Sequence, residues 1–191
     1  MFFGHKPSPE TIKRFLDGQL EQPFSYPEVG ATRATTPPGY NVDHNRIRLG
    51  EGREMFARAV GALKRWSMFE MDWVEVFPKN EPVAVGSTVA ILVSHLGFWS
   101  LNASRIVYVF GEDAQSEQFG FAYGTLKEHS EKGEERFAVE YHPADESVWY
   151  DLFAFSRPRH PLARAGYPFT RRLQKRFARD SLKAMEIAVK K

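Results

Sequence analysis

The residues best suited to chemistry are His129, Glu134 and Glu135, because the glutamates follow the histidine by five and six positions. A tight turn at Gly133 could return the imidazole toward both carboxylates. A histidine beside a carboxylate can act as a general acid and base, and the same nitrogen and oxygen atoms could bind a metal. However, residues 127–132 are mostly charged, which is typical of a solvated hairpin. A solvated hairpin is therefore the favoured interpretation, and catalysis is the alternative.

The catalytic alternative makes a testable demand on His129. A close carboxylate favours the charged imidazolium, so the pKa of His129 should lie above its reference value of about 6.5. The hairpin must also fold over the mouth of any cavity.

A second group of polar side chains interrupts otherwise apolar strand sequence: Tyr123, Thr125, Arg105, Asn102 and His95. Buried polar groups are hydrogen-bonded, so these side chains could simply satisfy one another or the backbone. Alternatively, they are the few polar points that orient an apolar ligand in a cup-shaped fold. Arg105 needs a partner, since an unpaired guanidinium in a core is costly. That partner would be a carboxylate such as Asp151 or the anionic head of a ligand.

The strand that must position these groups has two unlike faces. Phe119, Phe121, Tyr123 and Thr125 alternate with the nearly bare positions Gly120, Ala122 and Gly124. A central strand with a bare face indicates that something approaches its backbone closely. The sequence predicts a packed helix or a ligand on that side.

The first 39 residues form two segments. Ser8 followed by Pro9 is typical of a helix start, and Pro23 ends the apolar stripe that follows. Residues 23–39 are rich in proline and glycine and are interpreted as an irregular strap. Residues 1–191 are expected to form one domain, made of an N-terminal helix (1–22), the strap (23–39), and a body of sheet and helices (40–191).

Hydrophobic periodicity predicts helices at 51–68 and 169–188. It predicts strands at 40–49, 73–77, 88–96, 105–110, 119–126, 136–141 and 149–155. Short turns between the strands favour antiparallel pairing. The predicted class is α+β, with a curved antiparallel sheet wrapped around a long C-terminal helix.

Composition excludes several classes of function. The chain has no cysteine, so it has no disulfide or thiolate site. The six histidines lack zinc spacing, and Gly50-Glu51-Gly52 lacks the spacing of a phosphate-binding loop. We therefore expect no metal and no cofactor. No apolar run resembles a signal peptide or a membrane span, so a cytoplasmic protein is expected.

Net charge is only +2, but residues 157–179 hold eight lysines and arginines and no acid. This basic segment is interpreted as a solvated helix face, and nucleic acid is an unlikely partner. The sequence does not indicate an oligomeric state.

One further pattern is a resemblance. Tyr123-Gly124-Thr125-Leu126, His129 and Gly133-Glu134-Glu135 form a YGTL-x-x-H-x-x-x-GEE signature. Similar motifs recur elsewhere: Leu49-Gly50-Glu51-Gly52, Phe56 with Ala59, Leu63 with Trp66, and Phe155-Ser156-Arg157-Pro158. Together they resemble an uncharacterised "domain of unknown function" family over residues 24–185. That resemblance implies no established reaction.

The order of helices and strands is also similar to the helix-grip superfamily, which includes START domains, pollen allergens and polyketide cyclases. This similarity implies a cavity between the sheet and the last helix. The leading hypothesis is binding of a small hydrophobic or amphipathic molecule there. The alternatives are an enzyme of the cyclase, hydrolase or isomerase type in the same cavity, and a module that docks on anionic surfaces through the basic segment.

Overall fold

The computed structural model describes residues 1–113, 115–159 and 167–191. Three α-helices occur in this part of the chain: α1 (Pro9–Asp17), α2 (Gly52–Lys64) and α3 (Tyr167–Ala188). Helix α1 begins as the sequence predicts, because the Ser8 side chain accepts a hydrogen bond from the Thr11 amide at 3.3 Å and Pro9 occupies the first turn. Short 3₁₀ turns lie at Ala31–Arg33 and Ser67–Phe69.

The sheet is antiparallel throughout and curls into a half-barrel. Its strands are β1 (Phe2–Phe3), β2 (Asn41–Glu51), β3 (Val74–Phe77), β4 (Thr88–His95), β5 (Phe98–Phe110), β6 (Gln118–Thr125), β7 (Glu131–His142) and β8 (Ser147–Pro158). The order is β2-β8-β7-β6-β5-β4-β3, and β1 pairs with β5 outside this path. The predicted α+β class, with a curved antiparallel sheet and a long C-terminal helix, is confirmed.

The two faces of the sheet carry two separate apolar clusters. On the concave face, α2 and α3 pack over a large core that includes Phe121, Phe137 and Tyr150. On the convex face, Ile12 and Phe15 of α1 pack on alanines and leucines of β4 and β5. Because strand side chains alternate between faces, one strand serves both clusters.

Strand β7 begins earlier than the sequence predicts. The charged residues that were interpreted as a solvated hairpin are paired with β8, from Glu131 opposite Pro158 to Glu135 opposite Ala154. Gly133 lies within this strand and not in a turn. An added side chain there would overlap the Phe155 carbonyl oxygen, so glycine allows β7 and β8 to approach closely.

Strand β5 is also longer than predicted and begins at Phe98 instead of Arg105. In the added part of β5, apolar side chains face the convex side and polar side chains face the concave interior. Leu101 and Ala103 face α1 on the convex side, whereas Asn102 faces the concave interior beside Ser100. The polar residues that concealed the strand are therefore inside the molecule.

The bare face of β6 corrects another expectation. At Gly124 it faces the strap, and at Gly120 it lies against the ring of Phe110 on β5, so its neighbours are neither α3 nor a cavity. Tyr26 of the strap lies directly over Gly124, where a Cβ atom would overlap its hydroxyl and come within 2.9 Å of its ring. Something does approach this strand closely, and it is the side chain of Tyr26.

Among the described residues, no helix combines the length and apolarity needed to span a bilayer.

Candidate functional site

A cavity of about 350 Å³ lies between the concave face of the sheet and helix α3. Aromatic and aliphatic side chains make up most of its wall, among them Phe69, Trp73, Ile91, Val93, Leu152, Leu173 and Phe177. Its polar wall is concentrated where β2, β5, β6, β7 and α3 meet, at Asp43, Asn102, Tyr123, His129, Glu131, Glu135 and Gln174. An apolar enclosure with a few convergent polar groups is the usual form of a small-molecule site.

The most unusual polar group in this wall is the carboxyl of Glu135. It accepts a hydrogen bond of 2.7 Å from the Tyr123 hydroxyl on the neighbouring strand. Burial raises the pKa of Glu135 to about 7, and the nearby carboxylates of Glu131 and Asp43 act in the same direction. Glu135 therefore exchanges its proton close to neutral pH, while Tyr123 stays protonated because burial holds its pKa well above the usual value.

A chain of ion pairs and hydrogen bonds closes one side of the cavity. Arg171 of α3 makes two hydrogen bonds to Asp43 of β2, at 2.6 and 2.7 Å. Gln174, one turn later, donates to Glu131 at 2.7 Å and to Ser156 at 2.9 Å. Burial raises the pKa of Glu131, and the Gln174 hydrogen bond opposes that shift. The arrangement ties α3 to β2, β7 and β8.

His129 lines the same cavity, but its protonation is the reverse of the prediction. Its Nδ1 accepts a hydrogen bond of 3.0 Å from the Glu131 amide, so that nitrogen carries no proton. Burial lowers the pKa of His129 to about 3, and the positive charges of the N-terminal amine and Arg159 lower it further. The imidazole is neutral, and the expected upward shift is wrong.

Glu134 and Glu135 do not converge, because consecutive residues of a strand point to opposite faces. The Glu134 carboxylate is turned to the convex face, where it binds the strap. It accepts hydrogen bonds from the Tyr26 hydroxyl at 2.7 Å, the Gly30 amide at 2.7 Å and the Thr32 amide at 3.0 Å, and a short one from the Thr32 hydroxyl. The prediction that His129, Glu134 and Glu135 share a catalytic centre is therefore corrected. Only His129 and Glu135 offer side chains to the cavity.

Arg105 also lies on the convex face and does not line the cavity. Its guanidinium donates to the backbone carbonyls of Gln19, Leu20 and Gln22, at 2.9, 2.5 and 3.0 Å, and to the Thr88 hydroxyl at 3.0 Å. The partner is thus neither Asp151 nor a ligand. Arg105 satisfies the carbonyl groups that follow α1 and holds this segment on the sheet.

Three further predicted residues do line the cavity: Asn102, Thr125 and His95. The Asn102 side-chain oxygen accepts from both the amide and the hydroxyl of Ser130, at 3.2 and 3.0 Å. Thr125 makes hydrogen bonds through its hydroxyl to the backbone of Gly133. These two side chains thus order the turn between β6 and β7.

The ring centroid of His95 lies 6.0 Å from that of Phe169 of α3, which also lines the cavity. Burial lowers its pKa. Whether Tyr123, Asn102, Thr125 and His95 contact a ligand stays a prediction. Within the described ranges, no group of three or more acidic or histidine side chains is arranged to hold a metal ion.

Sequence reasoning missed Asp43, Glu131, Arg171 and Gln174. Asp43 had a usable signal, since Asn41, Asp43 and Asn45 alternate on one face of β2. Glu131 was assigned to a hairpin in solvent, and no local pattern distinguishes it from an exposed charge. Arg171 and Gln174 reach the cavity only through the packing of α3.

Solved structures with the same architecture identify the fold. An aromatase/cyclase, Zhui, from Streptomyces sp. R1128 superposes with a TM-score of 0.54 at 10% identity, over 79% of this chain and 94% of that chain. A START superfamily protein from Mycobacterium smegmatis gives 0.51 at 12% identity, over 80% and 98%. A Thermus thermophilus protein, TTHA0849, gives 0.51 at 13% identity, over 78% and 97%. The fold is a helix-grip fold of the START and polyketide-cyclase type.

Sequence comparison identifies the family. The model of "Domain of unknown function (DUF1990)" matches residues 25–184. A UPF0548 protein from Dictyostelium discoideum is 41% identical over 207 aligned residues, covering 99% of this chain and 96% of the relative. A UPF0548 protein from Deinococcus radiodurans is 37% identical, covering 94% of each. The chain belongs to the DUF1990/UPF0548 family, and the predicted resemblance to a family of unknown function is confirmed.

Proposed function

We propose that this protein binds a small hydrophobic or amphipathic molecule in the cavity between the sheet and α3. The observation that carries the proposal is the cavity of about 350 Å³ with a largely aromatic and aliphatic wall. That volume lies within the range of small-molecule sites in proteins. The fold shared with a START superfamily protein and an aromatase/cyclase supports the same assignment.

Native mass spectrometry of the purified protein tests the proposal most directly, since a retained ligand adds a discrete mass. Titration with an apolar fluorescent probe gives a second measurement. Ala154 lines the cavity, so Ala154→Leu should fill part of it and weaken probe binding. The control is Ala57→Leu, the same change at an exposed position of α2. A wild-type protein with no saturable uptake of any apolar probe would contradict the proposal.

A second candidate function, proton transfer on a bound substrate, is favoured by Glu135 alone. Its pKa of about 7 and its place in the cavity wall are suited to a general acid or base. The substrate is unknown, so a generic carbon acid is the appropriate probe. Wild-type protein should accelerate deuterium incorporation next to the carbonyl of 2-tetralone at pH 8, and Glu135→Gln should not. Equal rates for both proteins would exclude Glu135 as a base toward this ketone.

A further inference from the structure

The polar groups of the cavity differ in what they can offer to a ligand. The charged side chains in its wall are carboxylates: Asp43, Glu131 and Glu135 border it, together with Glu134, whose carboxylate points away. Among the described residues, no lysine or arginine lines it. Its two histidines, His95 and His129, have pKa values lowered by burial and are uncharged at neutral pH.

Arg171 of α3 is the cation bound to the polar part of the cavity wall, and it is already occupied. Both terminal nitrogens of Arg171 are bound to Asp43, and one also donates to Gln174. This bidentate geometry is the strongest that an arginine makes with a carboxylate. A ligand carboxylate or phosphate would have to displace it. Asp43 and Gln174 are therefore both hydrogen-bonded to Arg171.

Glu135 is less committed than its neighbours. Among the described residues its hydrogen-bond partner is the Tyr123 hydroxyl, which binds Oε2. A carboxylate accepts several hydrogen bonds, so acceptor capacity remains on a group that borders the cavity. Glu131, in contrast, receives the Gln174 amide and is also hydrogen-bonded by the Ser156 side chain.

We propose that the ligand is an apolar molecule whose head group is a hydrogen-bond donor, a hydroxyl or an amine, and that Glu135 accepts this hydrogen bond. The inference rests on the proposed function and names the ligand class for the same cavity. Ligands with an anionic head are selected against, because they would meet carboxylates and no free cation in the described wall. The wall around the remaining volume is apolar and accommodates the body of the ligand.

This assignment also gives binding a pH dependence. The groups that face Glu135 are Tyr123 on β6, Tyr150 on β8, Glu131 on β7 and Asp43 on β2, with Arg171 of α3 paired to Asp43. The tyrosines stay protonated, because burial holds both pKa values well above the usual value. Glu135 loses its proton as the pH rises through about 7, and the ionised carboxylate is the stronger acceptor. Affinity for donor heads should therefore rise from pH 6 to pH 8.

A series with one apolar body and different heads tests the inference by calorimetry: naphthalene, 2-naphthol, 2-(aminomethyl)naphthalene and 2-naphthoate. The affinities for the alcohol and for the amine should each be at least about tenfold higher than the affinity for the carboxylate. A difference of this size is the effect of one charge-assisted hydrogen bond. The amine should gain most between pH 6 and pH 8. Comparison of the alcohol with the amine then distinguishes a neutral from a cationic head.

Glu135→Gln keeps the shape of the side chain and should remove the pH dependence and most of the preference for the amine. Glu186→Gln, at an exposed position near the end of α3, is the matched control and should change neither. If 2-naphthoate binds as tightly as 2-naphthol to wild-type protein, the inference is wrong while the binding function stands. If naphthalene and all three derivatives fail to bind, the proposed function is wrong, and the inference falls with it.

Discussion

Gly124 shows how much one side chain can matter where the strap meets the sheet. A methyl group at this position would overlap the Tyr26 hydroxyl, so Gly124→Ala should cost about 1–3 kcal/mol of unfolding free energy through overpacking. Gly4→Ala is the control, because nothing lies within 4 Å of the added carbon there. Urea denaturation measures both. Equal stabilities for the two variants would mean that Tyr26 does not lie over β6.

His129 provides a second test at the scale of one residue. Burial lowers its pKa to about 3, so its ring should stay neutral between pH 8 and pH 5. The Hε1 resonance should not move over this range in the folded protein. In urea the same proton should titrate near 6.5, which serves as the internal reference. A folded-state titration above 6.5 would instead restore a carboxylate partner for this imidazole.

At the scale of elements, Glu134 connects the strap to the sheet. Its carboxylate accepts hydrogen bonds from Tyr26, Gly30 and Thr32, which lie along one continuous stretch of the strap. Glu134→Gln places an amide group, which donates as well as accepts, among groups that all donate. The variant should release the strap before the sheet unfolds, because the β7 and β8 pairing does not depend on this carboxylate.

Hydrogen exchange measured by mass spectrometry detects this release. Peptides from residues 24–36 should exchange faster in Glu134→Gln, whereas peptides from β7 and β8 should keep their protection. Glu140→Gln is a control on the same strand, since its carboxylate pairs with Arg46 outside the strap. Uniform loss of protection in all peptides would show that the strap is not a separate unit.

The same elements show which parts of the fold can be predicted from sequence. Strand β4 was predicted because its sequence is apolar on both faces, and β8 because an apolar segment follows the turn at residues 142–147. Helix α3 was predicted because no proline or glycine interrupts its stripe. The starts of β5 and β7 were missed because polar residues there face the interior. Asn102, Glu131 and Glu135 resemble solvent-facing residues in sequence, since the polar part of the cavity wall uses the same residue types as the outer surface.

The candidate site was only partly predictable for a related reason. Tyr123, His129 and Glu135 were identified from residue type and proximity in sequence, and all three line the cavity. Glu134 and Arg105 were assigned to the same site, although both lie on the convex face. Which face of a strand a residue occupies depends on register and on bulges, and one irregularity between Ile106 and Tyr108 already reverses the faces along β5.

At the scale of the whole molecule, the charge distribution bears on the third hypothesis, docking on anionic surfaces. Arg172, Lys175, Arg176 and Arg179 are exposed on α3, but Asp180 pairs with two of them, and the net charge is only +2. Binding to vesicles rich in phosphatidylserine should therefore be detectable only at low ionic strength. Sedimentation with vesicles at 20 mM and 150 mM salt measures this, and undiminished binding at the higher salt would favour a docking role.

The free energy of unfolding should depend on pH through the ionisation of Glu135. Its pKa is raised in the folded state, from 4.5 to about 7, so the folded protein holds a proton that the unfolded chain releases between these values. The favourable contribution is complete below pH 4.5 and is lost as the pH rises through 7. Wild-type protein should thus lose stability relative to Glu135→Gln by up to about 3 kcal/mol between pH 4.5 and pH 8.

Glu186 is the control for this measurement, because its pKa is shifted in the opposite direction. The Lys190 ion pair lowers the pKa of Glu186, so its contribution is present above pH 4.5 and is lost as the pH falls. Urea unfolding of wild type, Glu135→Gln and Glu186→Gln at several pH values compares the two. Because His129 is common to all three proteins, its own titration cancels in the differences. The difference in unfolding free energy between wild type and Glu135→Gln could instead stay constant from pH 4.5 to pH 8. This result would show that the Glu135 carboxyl ionises normally. Neither proton transfer near neutral pH nor the pH-dependent recognition of a donor head could then depend on it.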